Sequence, residues 1–169
     1  MEKLSRSVNQ TLAIGKKLAR NLCGGEIILL SGELGAGKTV LAKGIAQGLG
    51  INKNNIISPT FVLLRIHKGR HLLQHFDLYR IKTPKDIFAL GYQEYFYSDA
   101  VTLIEWPERL KFLLPEEFLK IKLCFRGRNK RLLKFIAKGA KHKKLLKKDR
   151  KSTRLNSSHI QKSRMPSSA

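Results

Sequence analysis

The stretch Gly32-Glu33-Leu34-Gly35-Ala36-Gly37-Lys38-Thr39 constrains this chain more than any other. It fits G-x-x-x-x-G-K-[ST], a spacing in which glycines let the backbone wrap a phosphate with successive N–H groups pointing inward. A side chain at those glycines would collide with the anion. The flanks agree with the motif. Residues 26–30 are a short apolar, β-branched run that reads as a buried strand, and in 38–49 Val40, Leu41, Ile45 and Leu49 mark one helix face that stops at Gly50. A helix starting near Lys38 aims its N-terminus at the anion. Lys38 then reaches the β/γ-phosphates and the Thr39 hydroxyl serves Mg²⁺. Glu33, Leu34, Gly35, Ala36, Gly37, Lys38, Thr39 and Val40 are the expected nucleotide-binding stretch.

The rest of the chain supplies the elements of an α/β domain. Residues 7–22 carry Val8, Leu12, Leu18 and Leu22 near helical spacing, with Ser7 as N-cap and Gly24-Gly25 as stop. Residues 61–66 and 72–78 read as a hairpin about Lys68-Gly69-Arg70, and 119–125 and 132–136 as another about Gly127-Arg128-Asn129. Pro84 opens a helix that Gly91 breaks, and 101–104 form a further buried strand. The expected fold is P-loop NTPase-like with three layers: a central mixed sheet of parallel core strands with antiparallel additions.

A P-loop enzyme also needs an acidic group near the metal and a group that orients the attacking water. Asp77, in His75-Phe76-Asp77-Leu78-Tyr79-Arg80, and Glu105, directly after 101–104, stand at the ends of apolar strands, where open α/β sheets place their sites. From position alone each is as readily a surface carboxylate. His75 reads as a residue that packs or hydrogen-bonds locally rather than as a base.

Four motifs in order, residues 32–39, Ser58-Pro59-Thr60-Phe61, His75 to Arg80 and Ile104-Glu105-Trp106-Pro107-Glu108, resemble the bacterial TsaE (YjeE) family, the likeness spanning residues 7–138. The resemblance implies a P-loop ATPase, with ATP and Mg²⁺ as cofactors, required for threonylcarbamoyl modification of the adenosine next to the anticodon in certain tRNAs. It implies docking on the TsaB–TsaD complex; because no dedicated arginine finger is visible, slow hydrolysis by the free protein and stimulation by its partners are expected. Carried over by position, Lys38 holds the β/γ-phosphates, Thr39 and Glu105 ligate Mg²⁺, and Asp77 orients water or acts as base. Lys38, Asp77 and Glu105 are thus the expected catalytic residues. Thr11 would lie near the nucleotide base, with Thr60 and Trp106 as switch candidates. On residue type alone, Thr11 is as well a packing residue, Thr60 a turn residue after Pro59, and Trp106 a half-buried core aromatic. The C-terminal segment departs most from the family pattern, and no dedicated arginine finger is visible.

The 169 residues favour one domain, and the formal net charge is +22. From Asp149 the chain turns polar and Ser-rich, and 149–169 resemble the in-frame translation of a common short-read sequencing adapter. That tail is set aside as appended and disordered, leaving residues 1–148 as a single P-loop ATPase domain of net charge +18. Between Phe118 and Lys148 there are 13 Lys+Arg and no Asp or Glu. This reads either as lysine-rich composition or as a basic C-terminal surface toward tRNA, with Lys141, Lys143, Lys144, Lys147 and Lys148 as its test. No apolar run approaches a membrane span, no signal peptide is visible, and Cys23 and Cys124 are too far apart in sequence for a zinc ribbon; a cytoplasmic protein is expected. Two other readings share the P-loop: a small-molecule or nucleotide kinase, which would transfer phosphate to an acceptor, and an assembly factor gated by nucleotide binding alone.

Overall fold

Ile27–Ser31 (β2) and Val101–Glu105 (β5) are buried along their whole length, and Leu72–Asp77 (β4) along all but its first residue. Runs this apolar belong to strands covered on both faces. In the computed structural model, which describes residues 1–57 and 63–162, they form the parallel heart of one sheet together with Phe118–Phe125 (β6). β2 lies between β5 and β6, and β4 lies beyond β5. Antiparallel strands extend both edges: Leu64–Lys68 (β3) on β4, Arg131–Lys138 (β7) on β6, and Glu2–Ser5 (β1) on β7. The order is β1-β7-β6-β2-β5-β4-β3.

Two cores sandwich this sheet. Val8–Ala19 (α1), Lys38–Gly48 (α2) and Ala140–Lys162 (α5) contribute to one, over Ile28, Leu30, Leu119, Ile121 and Leu133. Pro84–Phe88 (α3), Tyr92–Phe96 (α4) and the 3-10 segment Pro107–Leu113 cover the other, over Leu29, Phe76 and Ile104. The expected three layers, both hairpins and the mixed sheet are all present. β1 is an addition to the expected elements, because four residues ending two before the Ser7 helix cap carry too little periodicity to read. No helix among the described residues is long and apolar enough to cross a membrane.

Residues 149–162 differ from expectation. They are helical, since α5 runs to Lys162. Leu145 and Leu146 pack on the first core, and a helix so nucleated adds one hydrogen bond per further residue. Asp149 is buried and pairs with Lys3 of β1. Residues 163–169 lie outside the described residues.

Local contacts aim α1 at the P-loop. Ser7 caps the helix by accepting the Gln10 N–H at 3.1 Å. A Cβ at Gly44 would stand 2.3 Å from the Leu12 carbonyl oxygen, so α1 and α2 cross backbone against backbone. A Gly44→Ala substitution must push the helices apart, and we expect a loss of about 1–3 kcal/mol, seen as a lower urea midpoint at unchanged m-value.

His142 fastens α5 to the sheet. It is buried, and its Nε2 accepts the Ile27 N–H at 3.2 Å, a role only the neutral ring can fill. Burial pushes its pKa below the ordinary histidine value, with Lys141 adding to this and Glu26 and Glu117 opposing it. The unfolded chain therefore binds a proton that the folded one resists. The stability this confers is complete above the unfolded pKa near 6.5 and is lost as pH falls below it toward the lower folded value. Urea midpoints should drop on acidification through that window, and His142→Gln should flatten the drop.

Candidate phosphate and metal site

The P-loop separates two cavities that share Gly35, Gly37 and Val40. One, of about 340 Å³, is lined by Leu34, Lys38, Thr39, Asp77, Tyr79, Glu105 and Trp106. The other, of about 380 Å³, is lined by Arg6, Ser7, Val8, Thr11, Ala36, Asn129 and Arg131.

Gly35 and Gly37 have φ of +76° and +103°, a backbone region that L side chains resist. Packing does not demand glycine at either position: a Cβ would find no protein atom nearer than 4.0 Å at Gly35 or 3.8 Å at Gly37. The space a Cβ would fill is thus left open above a helix N-terminus, as a cradle for an anion requires. Lys38 is buried, and its Nζ donates to the carbonyls of Gly32 at 2.7 Å and Glu33 at 2.9 Å while standing 3.8 Å from the centre of the Trp106 ring. Burial lowers its pKa from the usual lysine value, opposed by the nearby carboxylates of Glu105, Glu108 and Asp77. A desolvated ammonium beside an open cradle is matched to phosphate oxygens.

Glu105 is the hub of the metal side. Its Oε2 accepts from the Thr39 hydroxyl at 3.1 Å and its Oε1 lies 2.8 Å from His75 Nε2, both Glu105 and His75 being buried. A hydroxyl and a carboxylate are hard oxygen donors of the kind Mg²⁺ takes together with phosphate and water. No cluster of three His, Cys, Asp or Glu able to hold a metal exists among the described residues. Asp77, buried, is the register partner of Glu105 on β4 and its Oδ1 accepts the Tyr79 N–H at 3.0 Å.

Lys38, Thr39, Asp77, Glu105 and Trp106 therefore share one cavity wall. Trp106 has φ +60°, and its half-buried ring lies 5.0 Å from that of Tyr79 as well as over Lys38, so it is both wall and packing residue. Thr11 stands in the second cavity, buried, its hydroxyl 2.8 Å from that of Ser5. Leu34 is exposed at the loop tip; Glu33 gives its carbonyl to Lys38 and to the Ala36 N–H. Thr60 lies outside the described residues.

Two further residues join the site. Arg131 of β7 donates from Nε to the Ala36 carbonyl at 3.2 Å and lays its guanidinium 4.3 Å from the centre of the Phe125 ring, walling the second cavity. Nothing in the local sequence distinguishes Arg131 from its basic neighbours; only the register of β7 brings it to the loop. His75, expected to pack or hydrogen-bond rather than act as a base, does hydrogen-bond, but across to β5, where it holds Glu105. Its alternation with Asp77 on β4 was the available signal, since residues two apart share a face.

Residues 5–133 match the family model described as Threonylcarbamoyl adenosine biosynthesis protein TsaE. A relative from Treponema pallidum (strain Nichols), named tRNA threonylcarbamoyladenosine biosynthesis protein TsaE, is 44% identical over 123 residues, covering 73% of this chain and 90% of that protein. A protein of the same name from Bacillus subtilis (strain 168) is 38% identical over 143 residues, covering 83% and 89%. The crystal structure of Bacillus subtilis YdiB is similar with a TM-score of 0.78 at 30% identity, covering 90% of this chain and 95% of that one.

Replacing His75 by Leu would leave Glu105 Oε1 buried without that partner, a defect of about 1–3 kcal/mol. We expect thermal unfolding to show this loss, and His75→Gln, whose amide can donate from a similar place, to recover part of it.

Proposed function

The chain belongs to the TsaE family of threonylcarbamoyl adenosine biosynthesis proteins, and from that membership we propose that it is a Mg²⁺-dependent ATPase acting with the TsaB–TsaD complex in modifying the adenosine next to the tRNA anticodon. Work on tRNA puts this activity in the cytoplasm. The observation that carries the reading is the convergence of Lys38, Thr39, Asp77 and Glu105 on one cavity beside the P-loop.

Each side chain has a task in that reading. The Thr39 hydroxyl and Glu105 carboxylate, already in contact, would hold Mg²⁺. Bound there, the metal supplies positive charge against that developing on the transferring phosphoryl group. Lys38 exchanges the carbonyls of Gly32 and Glu33 for the β/γ-phosphates of ATP. Asp77 orients the attacking water or takes its proton. His75 keeps Glu105 in place, Thr11 and Arg131 border the base side, and Trp106 covers Lys38. No arginine is among the described residues lining the metal-side cavity, which supports slow hydrolysis by the protein alone and stimulation by a partner. Leu34 and Tyr79, exposed at its mouth, offer such a partner an apolar contact.

The test is ATP turnover alone and with TsaB–TsaD and tRNA. Slow basal hydrolysis should rise in the complex, and Lys38→Ala, Glu105→Gln and Asp77→Asn should each lower it by about 10²-fold or more. Equal turnover with and without partners removes the partner-stimulated part of the reading. Absence of Mg²⁺-dependent ATP binding removes the whole of it, and phosphate appearing on an added acceptor replaces it with a kinase.

A further inference from the structure

The two faces of the sheet are covered unequally. On the first face Leu119, Ile121 and Leu123 of β6 and Leu133 and Phe135 of β7 are buried in the core that includes α1, α2 and α5. Alternation turns their neighbours to the second face, where α3, α4 and the 3-10 segment pack over β2, β4 and β5. Over β6 and β7 that face is largely open among the described residues: Ile136 is 56% exposed, and Lys122 and Lys138 are exposed. Register places Lys122 opposite Lys134, Lys120 opposite Ile136, and Phe118 opposite Lys138. Four lysines thus share one patch of two strands. At its β2 side Lys120 and Lys122 join Arg109 and Lys111 around a groove of about 670 Å³ that runs to Ser31 and Gly32 at the P-loop.

The patch is short of anions. Glu2 pairs with Lys134 at 3.4 Å, and Glu33 and Glu108 stand at the groove. Like charges directly opposite on paired strands, as at Lys122 and Lys134, destabilise the sheet unless counter-charge lies over them, and Glu2 brings one carboxylate to two ammonium groups. Lysine is depleted at protein–protein contacts but common at phosphates, which favours a nucleic acid over an acidic protein. Phe118 is buried, and among the described residues lining the groove Trp106 is the one aromatic ring, so backbone contact rather than base stacking is the mode this surface suits.

We infer that the open β6–β7 face, through Lys120, Lys122, Lys134 and Lys138 with Arg109 and Lys111, binds the sugar–phosphate backbone of RNA. The inference rests on the family's part in tRNA modification and not on ATP hydrolysis. It assigns RNA contact to the sheet face, away from the α5 lysines on the opposite layer.

Binding of unmodified tRNA to the full chain, followed by fluorescence anisotropy across a salt series, tests it. Each phosphate contact adds roughly 0.7–0.9 to the slope of log K against log salt. Combined replacement of Lys120, Lys122, Lys134 and Lys138 by Gln should flatten that slope by about 3. The matching replacement of Lys143, Lys144, Lys147 and Lys148 should leave it unchanged, and both variants should keep wild-type affinity for Mg²⁺-ATP. An unchanged slope in the first variant overturns the inference, as does a fall confined to the second or an absence of tRNA binding by the wild type. Poly-glutamate bound through the same lysines while tRNA is not would also overturn it, in favour of an acidic protein partner. Failure of ATP turnover bears on the ATPase reading alone.

Discussion

Parallel pairing of β2, β5 and β4 in one register is the constraint on which the site depends. Leu30 is opposite Glu105, and Glu105 is opposite Asp77, so the end of the P-loop strand and both carboxylates fall on one line across the sheet. Because side chains alternate with a period of two, a slip of one residue would turn Glu105 and Asp77 to the wrong face. The apolar residues beside them, buried in two separate cores, make such a slip expensive. Packing of the strands and placement of the carboxylates are thus one event.

Charge in the site is held in place by close polar contacts. Lys38 is desolvated, yet it has two carbonyl oxygens and an aromatic face around it. Glu105 is equally buried, with Thr39 on one oxygen and His75 on the other. Each arrangement gives a buried ionisable group hydrogen-bonding partners, which offsets the cost of its burial beside the phosphate cradle. Trp106 couples the two sides, because it follows Glu105 in sequence and lies over Lys38 in space.

The sheet also separates two kinds of surface. Its centre is enclosed and carries the phosphate machinery at the strand ends, whereas among the described residues β6 and β7 are covered fully on one face and, beyond Phe118, left largely open on the other. The lysine-rich C-terminal segment is divided by this asymmetry, since alternate residues of β6 and β7 face opposite ways while α5 packs on the covered side. A charge run that is continuous in sequence becomes two surfaces back to back.

Much of this was legible in the residues. Glycine spacing around Lys38, a β-branched run before it and a helical apolar face after it specify strand, loop and helix through local geometry, and the hairpins follow from Gly-containing turns between apolar runs. Strand ends marked Asp77 and Glu105, and four ordered motifs marked the family. What stayed hidden was every relation that depends on lateral register: the short β1, the reach of Arg131 to Ala36, the hold of His75 on Glu105, and the helix that carries Asp149 under Lys3. Propensity and periodicity are properties of neighbours along the chain, so the sequence by itself determined the elements and the phosphate loop. Which side chains meet across strands is set only when two hydrophobic cores close on the sheet, so tertiary structure alone decided the wiring of the site and which lysines share a face.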